Sequence, residues 1–183
     1  RIIPVAPPGD AMPEDAPAPT RSGILNIDKP AGRTSHDVVQ VVRRAAGVRR
    51  VGHAGTLDPM ATGVLVVCIG SATRLVEDVQ AGDKCYRARA RLGVATTTYD
   101  TEGEVVAECD ADGVSRADVE AGLEGFRGNI LQVPPMFAAL RHDGRHLYDL
   151  ARRGIEVDRV PRPVTVHSLE LVDWAPPEVT FEL

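Results

Sequence analysis

The sequence predicts an α+β fold. Short runs with period-two alternation or continuous apolar character read as strands. A few segments with helical spacing sit between Ser/Thr caps and glycine stops. The two kinds do not alternate regularly, which excludes a chain of parallel strand–helix–strand units. At 183 residues, 43% hydrophobic and 26% charged, the chain has the ordinary make-up of a globular protein with its own core.

Residues 1–22 hold Pro4, Pro7, Pro8, Pro13, Pro17 and Pro19 among Ala and acidic residues. Such a segment has little to bury and much entropy to lose on ordering, so a flexible extension is expected there. A catalytic domain is expected over 23–183. Residues 23–28 read as a strand and 29–32 as a turn. Thr34 or Ser35 caps a helix from about His36 to Ala46, with Val38, Val39, Val41 and Val42 apolar and Gly47 as the stop. Residues 52–63 carry three Gly and one Pro and read as a loop. Residues 64–69 form a continuous apolar run, suited to a buried strand, and 72–81 read as a helix.

The alternation over 84–92 puts Lys84, Tyr86, Ala88, Ala90 and Leu92 on one side and Cys85, Arg87, Arg89 and Arg91 on the other. That pattern predicts a half-buried strand with an arginine face. A turn over 100–103 leads to a strand at 104–108. Ser115 with Asp118 makes a capping box for a helix to about Phe126. Strands are expected at 136–141, 163–171 and 178–183, with an Asp143-Gly144 turn and a helix near 147–153. The alternating run at the end has no closing turn, so its edge groups are expected to lack partners and the domain is expected to continue past Leu183.

Net charge is −5, yet the charges are segregated. Residues 29–50 hold six basic side chains against Asp37 alone; 84–91 hold Lys84, Arg87, Arg89 and Arg91 with no acid; 100–124 hold nine acids against Arg116. One face can then meet phosphates while another keeps the protein soluble. Cys68, Cys85 and Cys109 are spaced 17 and 24 apart, which fits no zinc motif. No apolar run approaches the roughly 18 residues of a membrane span, and no secretory signal is present. A cytoplasmic protein without membrane or metal is expected.

Four segments stand out together. The first is Asp28-Lys29-Pro30-Ala31-Gly32-Arg33-Thr34-Ser35-His36-Asp37, and the second is Gly52-His53-Ala54-Gly55-Thr56-Leu57-Asp58-Pro59-Met60-Ala61-Thr62-Gly63. The third begins at Lys84-Cys85-Tyr86 and continues through Leu92-Gly93 to Thr98-Tyr99-Asp100-Thr101-Glu102-Gly103. The fourth is Gln132-Val133-Pro134-Pro135-Met136-Phe137-Ala138-Ala139-Leu140, followed by Gly144, Leu147-Tyr148 and Ala151-Arg152-Arg153-Gly154. In this order, over about residues 22–172, they resemble the TruB family of tRNA pseudouridine synthases.

The resemblance implies a pseudouridine synthase fold, a mixed, mostly antiparallel sheet flanked by helices and loops. It implies isomerisation of a uridine in the TΨC loop of tRNA, by base flipping, without cofactor or metal. Asp58 is then the catalytic aspartate. Gly55, Thr56 and Leu57 line the uridine site beside it. His53 packs into the RNA near the flipped base, Tyr86 stacks on that base, and the Lys29 segment lies near the active site. Ala138 and Arg141 stand where the family often has Ser and Lys. The family's later Arg-bearing motif, and the small C-terminal RNA-binding domain of many members, fall beyond Leu183.

From the residues alone, Asp58-Pro59 reads as a turn, Lys29 as a solvated turn residue, Tyr86 as a core residue and His53 as a loop histidine bonded to nearby backbone. Arg43, Arg44, Arg49, Arg50 and Arg141 are candidate RNA contacts, each singly also readable as an exposed charge. The expected partner is the tRNA T-arm and the expected state a monomer. Three alternatives stand beside this. One is a guide-RNA-dependent, dyskerin-like synthase, and another is a non-catalytic tRNA-binding or folding module. The weakest is a metal-dependent hydrolase built on His36, His53 and Asp58, which lacks a ligand-spaced motif.

Overall fold

The computed structural model describes residues 21–138 and 140–183. The chain divides into two compact units, one ending at Gly82 and the other running from Asp83 to Leu183. Nearly all of the expected 1–22 extension lies outside the described residues.

In the first unit the strands are β1 (Gly23–Lys29), β2 (Val51–His53) and β3 (Gly63–Ile69), joined antiparallel in the order β1-β3-β2. Helix α1 (Ser35–Ala46) lies against them. Its start is a full capping box. The Thr34 side chain accepts from the Asp37 amide, and the Asp37 carboxylate accepts from the Thr34 amide at 2.9 Å and hydroxyl at 2.7 Å. Gly47 ends it at φ 66°, a left-handed cap that a side chain would resist. Val38, Val39 and Val42 of α1 pack with Val51, Leu65, Val67 and Ile69 as one core, with Ile27, Ala46, Val48 and Leu57 at its edge. These positions recur three or four apart on the helix and two apart on β3, as burial of one face of each requires.

The stretch 52–63 is not wholly loop. Gly52 and His53 pair with Cys68 and Val67, because β3 offers an open ladder beside them. The expected helix over 72–81 is a 3₁₀ segment, Gly70–Leu75, running into α2 (Val76–Ala81). Neither start carries a side-chain cap, and the tighter i to i+3 turn satisfies the first carbonyls instead.

The second unit contains β4 (Arg87–Arg91), β5 (Val94–Thr96), β6 (Val105–Glu108), α3 (Arg116–Leu123), β7 (Gly128–Gln132), β8 (Arg141–His142), β9 (Arg145–His146), α4 (Leu147–Ala151), β10 (Arg162–Val166), β11 (Glu170–Ala175) and β12 (Glu178–Glu182). They form ladders β5-β6, β8-β9, β10-β7 and β11-β12-β4. Every pairing among the described residues is antiparallel. The α+β class therefore holds, with the strands spread over five small ladders.

Several expectations are corrected here. The strand expected at 136–141 shrinks to Arg141–His142, since Pro134 and Pro135 bring no N–H and residues 136–138 turn. Strand β7 was not foreseen; it owes its place to the partner β10 rather than to alternation of its own. The single run at 163–171 is two strands with different partners, β10 on β7 and β11 on β12. The arginine-faced strand pairs only over Arg87–Arg91 and is not half-buried: Ala88 is exposed as well as the arginines. It is the edge of a three-stranded ladder, so neither face is covered by that ladder. The last run is no open edge. β12 is the middle strand, flanked by β11 and β4, and the Leu183 amide and carbonyl both bond to Tyr86.

Candidate active site and nucleic-acid interface

Residues 54–62 leave β2, make the Asp58 turn and enter β3. Gly55 lies at φ 113°, a conformation that a side chain would strain, and it lets the chain reverse beside His53. The His53 Nδ1 lies 2.7 Å from the Gly55 carbonyl oxygen. A carbonyl only accepts, so Nδ1 carries the proton and Nε2 faces outward.

Both neighbours of Asp58 are held. The Ser35 hydroxyl donates to the Leu57 carbonyl at 3.1 Å and accepts from the Leu57 amide at 2.9 Å. The Leu57 side chain packs on the core. On the other side, the Pro59 carbonyl accepts from the Gly32 amide at 2.8 Å and from Lys29 Nζ at 3.1 Å. The Asp58 carbonyl accepts from the Ala61 amide at 3.0 Å, closing the turn. The carboxylate itself is exposed, and no hydrogen bond or ion pair among the described residues engages it. An anchored backbone thus presents a free carboxylate.

Lys29 is 0% exposed, which overturns its reading as a solvated turn residue. Its ammonium donates to the carbonyls of Pro30 at 3.0 Å, Arg33 at 2.7 Å and Pro59 at 3.1 Å. An ammonium has three donors, and all three are used; this is what makes burial of the charge tolerable. Lys29 is a clamp between two loops.

A groove of about 600 Å³ opens where α1 passes into β2, lined by Arg49, Arg50, Gly52, Thr73, Arg74 and Glu77. Arg49, Arg50 and Arg74 are exposed. Three guanidinium groups beside one carboxylate favour an anion. Arg44 is exposed on α1. Arg43 is half-buried, with its nitrogens on Gln40, Arg49 and Val51.

Asp58, His53, Lys29, Gly55, Thr56, Leu57, Arg43, Arg44, Arg49 and Arg50 all belong to the first unit. Tyr86 and Arg141 belong to the second. Tyr86 is 46% exposed just before β4, so it is not a core tyrosine of its unit. Arg141 lies in the short β8–β9 hairpin.

Sequence reasoning missed Ser35 and Arg74. With Thr34 supplying the cap, the adjacent Ser35 hydroxyl was free for another task, and that was a readable signal. Arg74 carried none, since only the fold sets it beside Arg49 and Arg50. Among the described residues no group of three or more His, Cys, Asp or Glu gathers as metal ligands. No described helix is long and apolar enough to cross a membrane.

Comparison with known proteins accords with this geometry. The family model for "TruB family pseudouridylate synthase (N terminal domain)" matches residues 43–183. The tRNA pseudouridine synthase B of Symbiobacterium thermophilum is 56% identical over 154 residues, covering 84% of this chain and 52% of the relative. That of Dehalococcoides mccartyi (strain ATCC BAA-2100) is 50% identical, covering 85% of this chain and 52% of the relative. That of Gloeobacter violaceus is 48% identical, covering 88% and 56%. The chain spans about half the length of these curated relatives. Among solved structures, the crystal structure of a Cbf5–Nop10–Gar1 complex contains a chain 29% identical with a TM-score of 0.61, covering 87% of this chain and 38% of that one. A structure of an H/ACA RNP bound to a substrate RNA containing 2′-deoxyuridine contains one 26% identical with a TM-score of 0.58, covering 87% and 36%.

Proposed function

Because the chain belongs to the TruB family of pseudouridylate synthases, we propose that it carries the aspartate loop of an enzyme that isomerises a uridine in the TΨC loop of tRNA. The supporting observation is the Asp58 turn, a free carboxylate on a backbone anchored from both sides by Ser35, Lys29 and Gly32. The reaction breaks the C1′–N1 bond of uridine and forms C1′–C5. C5 loses a proton and N1 gains one, so no oxidant or reductant is consumed. A single oriented carboxylate supplies the nucleophile or base that this requires.

The target base must leave its stack, and an exposed Tyr86 offers a surface worth roughly 1–3 kcal/mol per stacked base. His53, with Nε2 outward, and Gly55, Thr56 and Leu57 border the base. The groove of Arg49, Arg50 and Arg74, with Arg44 and Arg141, is assigned to RNA phosphates. No cofactor or metal is assigned. A monomer working in the cytoplasm on the T-arm is the state proposed.

Asp58→Asn tests the reading. Asn keeps the shape of the side chain and lacks its basicity. Pseudouridine formation, followed by tritium release from C5-labelled uridine, is expected to vanish while RNA binding persists. Retention of more than about a tenth of the wild-type turnover removes Asp58 from the chemistry. Binding with no tritium release from wild type supports a binding module instead. The likeness to chains of H/ACA complexes favours a second reading, guide-RNA dependence. Turnover on free T-arm RNA without a guide rejects it.

A further inference from the structure

We propose that Arg43 acts as a positioning residue for the RNA-binding groove: it holds the turn that aims Arg49 and Arg50, and does not itself meet phosphate. The proposal rests on the assignment of that groove to RNA. It concerns a residue whose charge and place in a basic run invite the opposite reading.

The geometry is a fork turned inward. Arg43 Nε donates to the Arg49 carbonyl at 3.1 Å, and Nη2 donates to the Val51 carbonyl at 3.3 Å. Nη1 donates to Gln40 Oε1 at 2.8 Å. Each nitrogen of the group therefore has an intramolecular acceptor. The rigid plane of a guanidinium can bind two carbonyls two residues apart and fix their separation. Between them, the Arg50 carbonyl accepts from the Gly70 amide at 2.8 Å. Three successive carbonyls, at 49, 50 and 51, are thus held, two by one side chain and one by the start of the 3₁₀ turn that carries Arg74. The Arg49 and Arg50 side chains extend from this backbone into the groove.

The arrangement is closed on the far side of Arg43 as well. Arg43 donates and never accepts, so it fixes the Gln40 amide with Oε1 toward itself. Gln40 Nε2 then points at His36 Nε2, 2.8 Å away, and must donate there. His36, Gln40 and Arg43, one helical turn apart, form a chain along the surface of α1 that ends on the 49–51 backbone.

The test is a cycle of variants assayed for T-arm RNA binding across salt concentration, each at equal folded concentration verified by thermal unfolding. Arg49→Ala/Arg50→Ala is expected to flatten the log–log salt slope by roughly 0.7–0.9 for each phosphate no longer neutralised. Arg43→Gln alone is expected to weaken binding about three- to tenfold, and to raise KM more than it lowers kcat. In the Arg49→Ala/Arg50→Ala background, Arg43→Gln is expected to add less than about twofold, because nothing remains for it to aim. Gln40→Met, which changes no charge, is expected to reproduce part of the Arg43→Gln loss and to have no effect in the same background. A further full increment of slope on adding Arg43→Gln to the double variant shows Arg43 on a phosphate and overturns the proposal. So does wild-type binding by the single Arg43→Gln variant. If Arg49→Ala/Arg50→Ala leaves both affinity and slope unchanged, it is the groove's assignment to RNA that fails.

Discussion

The Ser35 hydroxyl satisfies both backbone groups of Leu57, accepting from its amide at 2.9 Å and donating to its carbonyl at 3.1 Å. One side chain at the start of α1 thereby does for the residue before Asp58 what a neighbouring strand would do. Ser35→Ala is expected to cost about 1–3 kcal/mol of stability, two neutral hydrogen bonds in a part-buried site. Pseudouridine formation is expected to fall about ten- to a hundredfold at equal folded concentration, since a carboxylate loosened in orientation loses attack geometry. Thr34→Ala serves as the comparison, losing stability through the cap while leaving Leu57 held.

Lys29→Met keeps the aliphatic stem and removes the ammonium. The carbonyls of Pro30 and Arg33 then lose this donor, and Pro59 retains only Gly32. The expected loss is on the order of 2–4 kcal/mol, read as a lower urea midpoint with an unchanged slope. A midpoint within error of wild type would contradict the clamp.

The sequence made the first unit more legible than the second. Apolar spacing, the Thr34–Asp37 box and Gly47 mark α1 to within a residue, because every one of those signals acts locally. Strand β7 and the split of 163–171 were unreadable for the converse reason, that each depends on which strand lies opposite. The buried state of Lys29 was hidden too. Its acceptors are backbone carbonyls, one of them thirty residues away, and carbonyls have no sequence signature. The Asp58 loop stood out by its motif, yet nothing local showed that Ser35 would hold it.

Acid should loosen both capping boxes. The hydrogen bond from the Thr34 hydroxyl, with that from its amide, holds the Asp37 carboxyl below its ordinary range, and Ser115 does the same for Asp118. A lowered folded-state value means stabilisation that is present above the usual carboxylate range and lost as pH falls through the folded value. Wild type is expected to exceed Asp37→Asn/Asp118→Asn in melting temperature near neutrality, with the gap closing in acid. A gap that persists at low pH would assign the difference to something other than charge.

The three thiols should separate by reactivity. Cys68 is 0% exposed, and burial pushes its thiol up; Cys85 and Cys109 are exposed. Thiol titration of the native protein is expected to count two fast groups, with the third released only by denaturant. Fast modification of Cys68 in the native state would mean that β3 opens readily.

Strand β12 lies between β4 and β11, and its last residue bonds twice to Tyr86. Sequence neighbours tell nothing of this, since residues 86 and 183 are separated by nearly the whole second unit. During synthesis β4 therefore emerges long before the strand it pairs with, and the backbone beside Tyr86 cannot take its final form until the chain has been made through residue 183. The order of translation sets the order of assembly here: the Asp58 loop can be built early, from contacts within the first 82 residues, while the tyrosine proposed to receive the base waits for the far end of the unit.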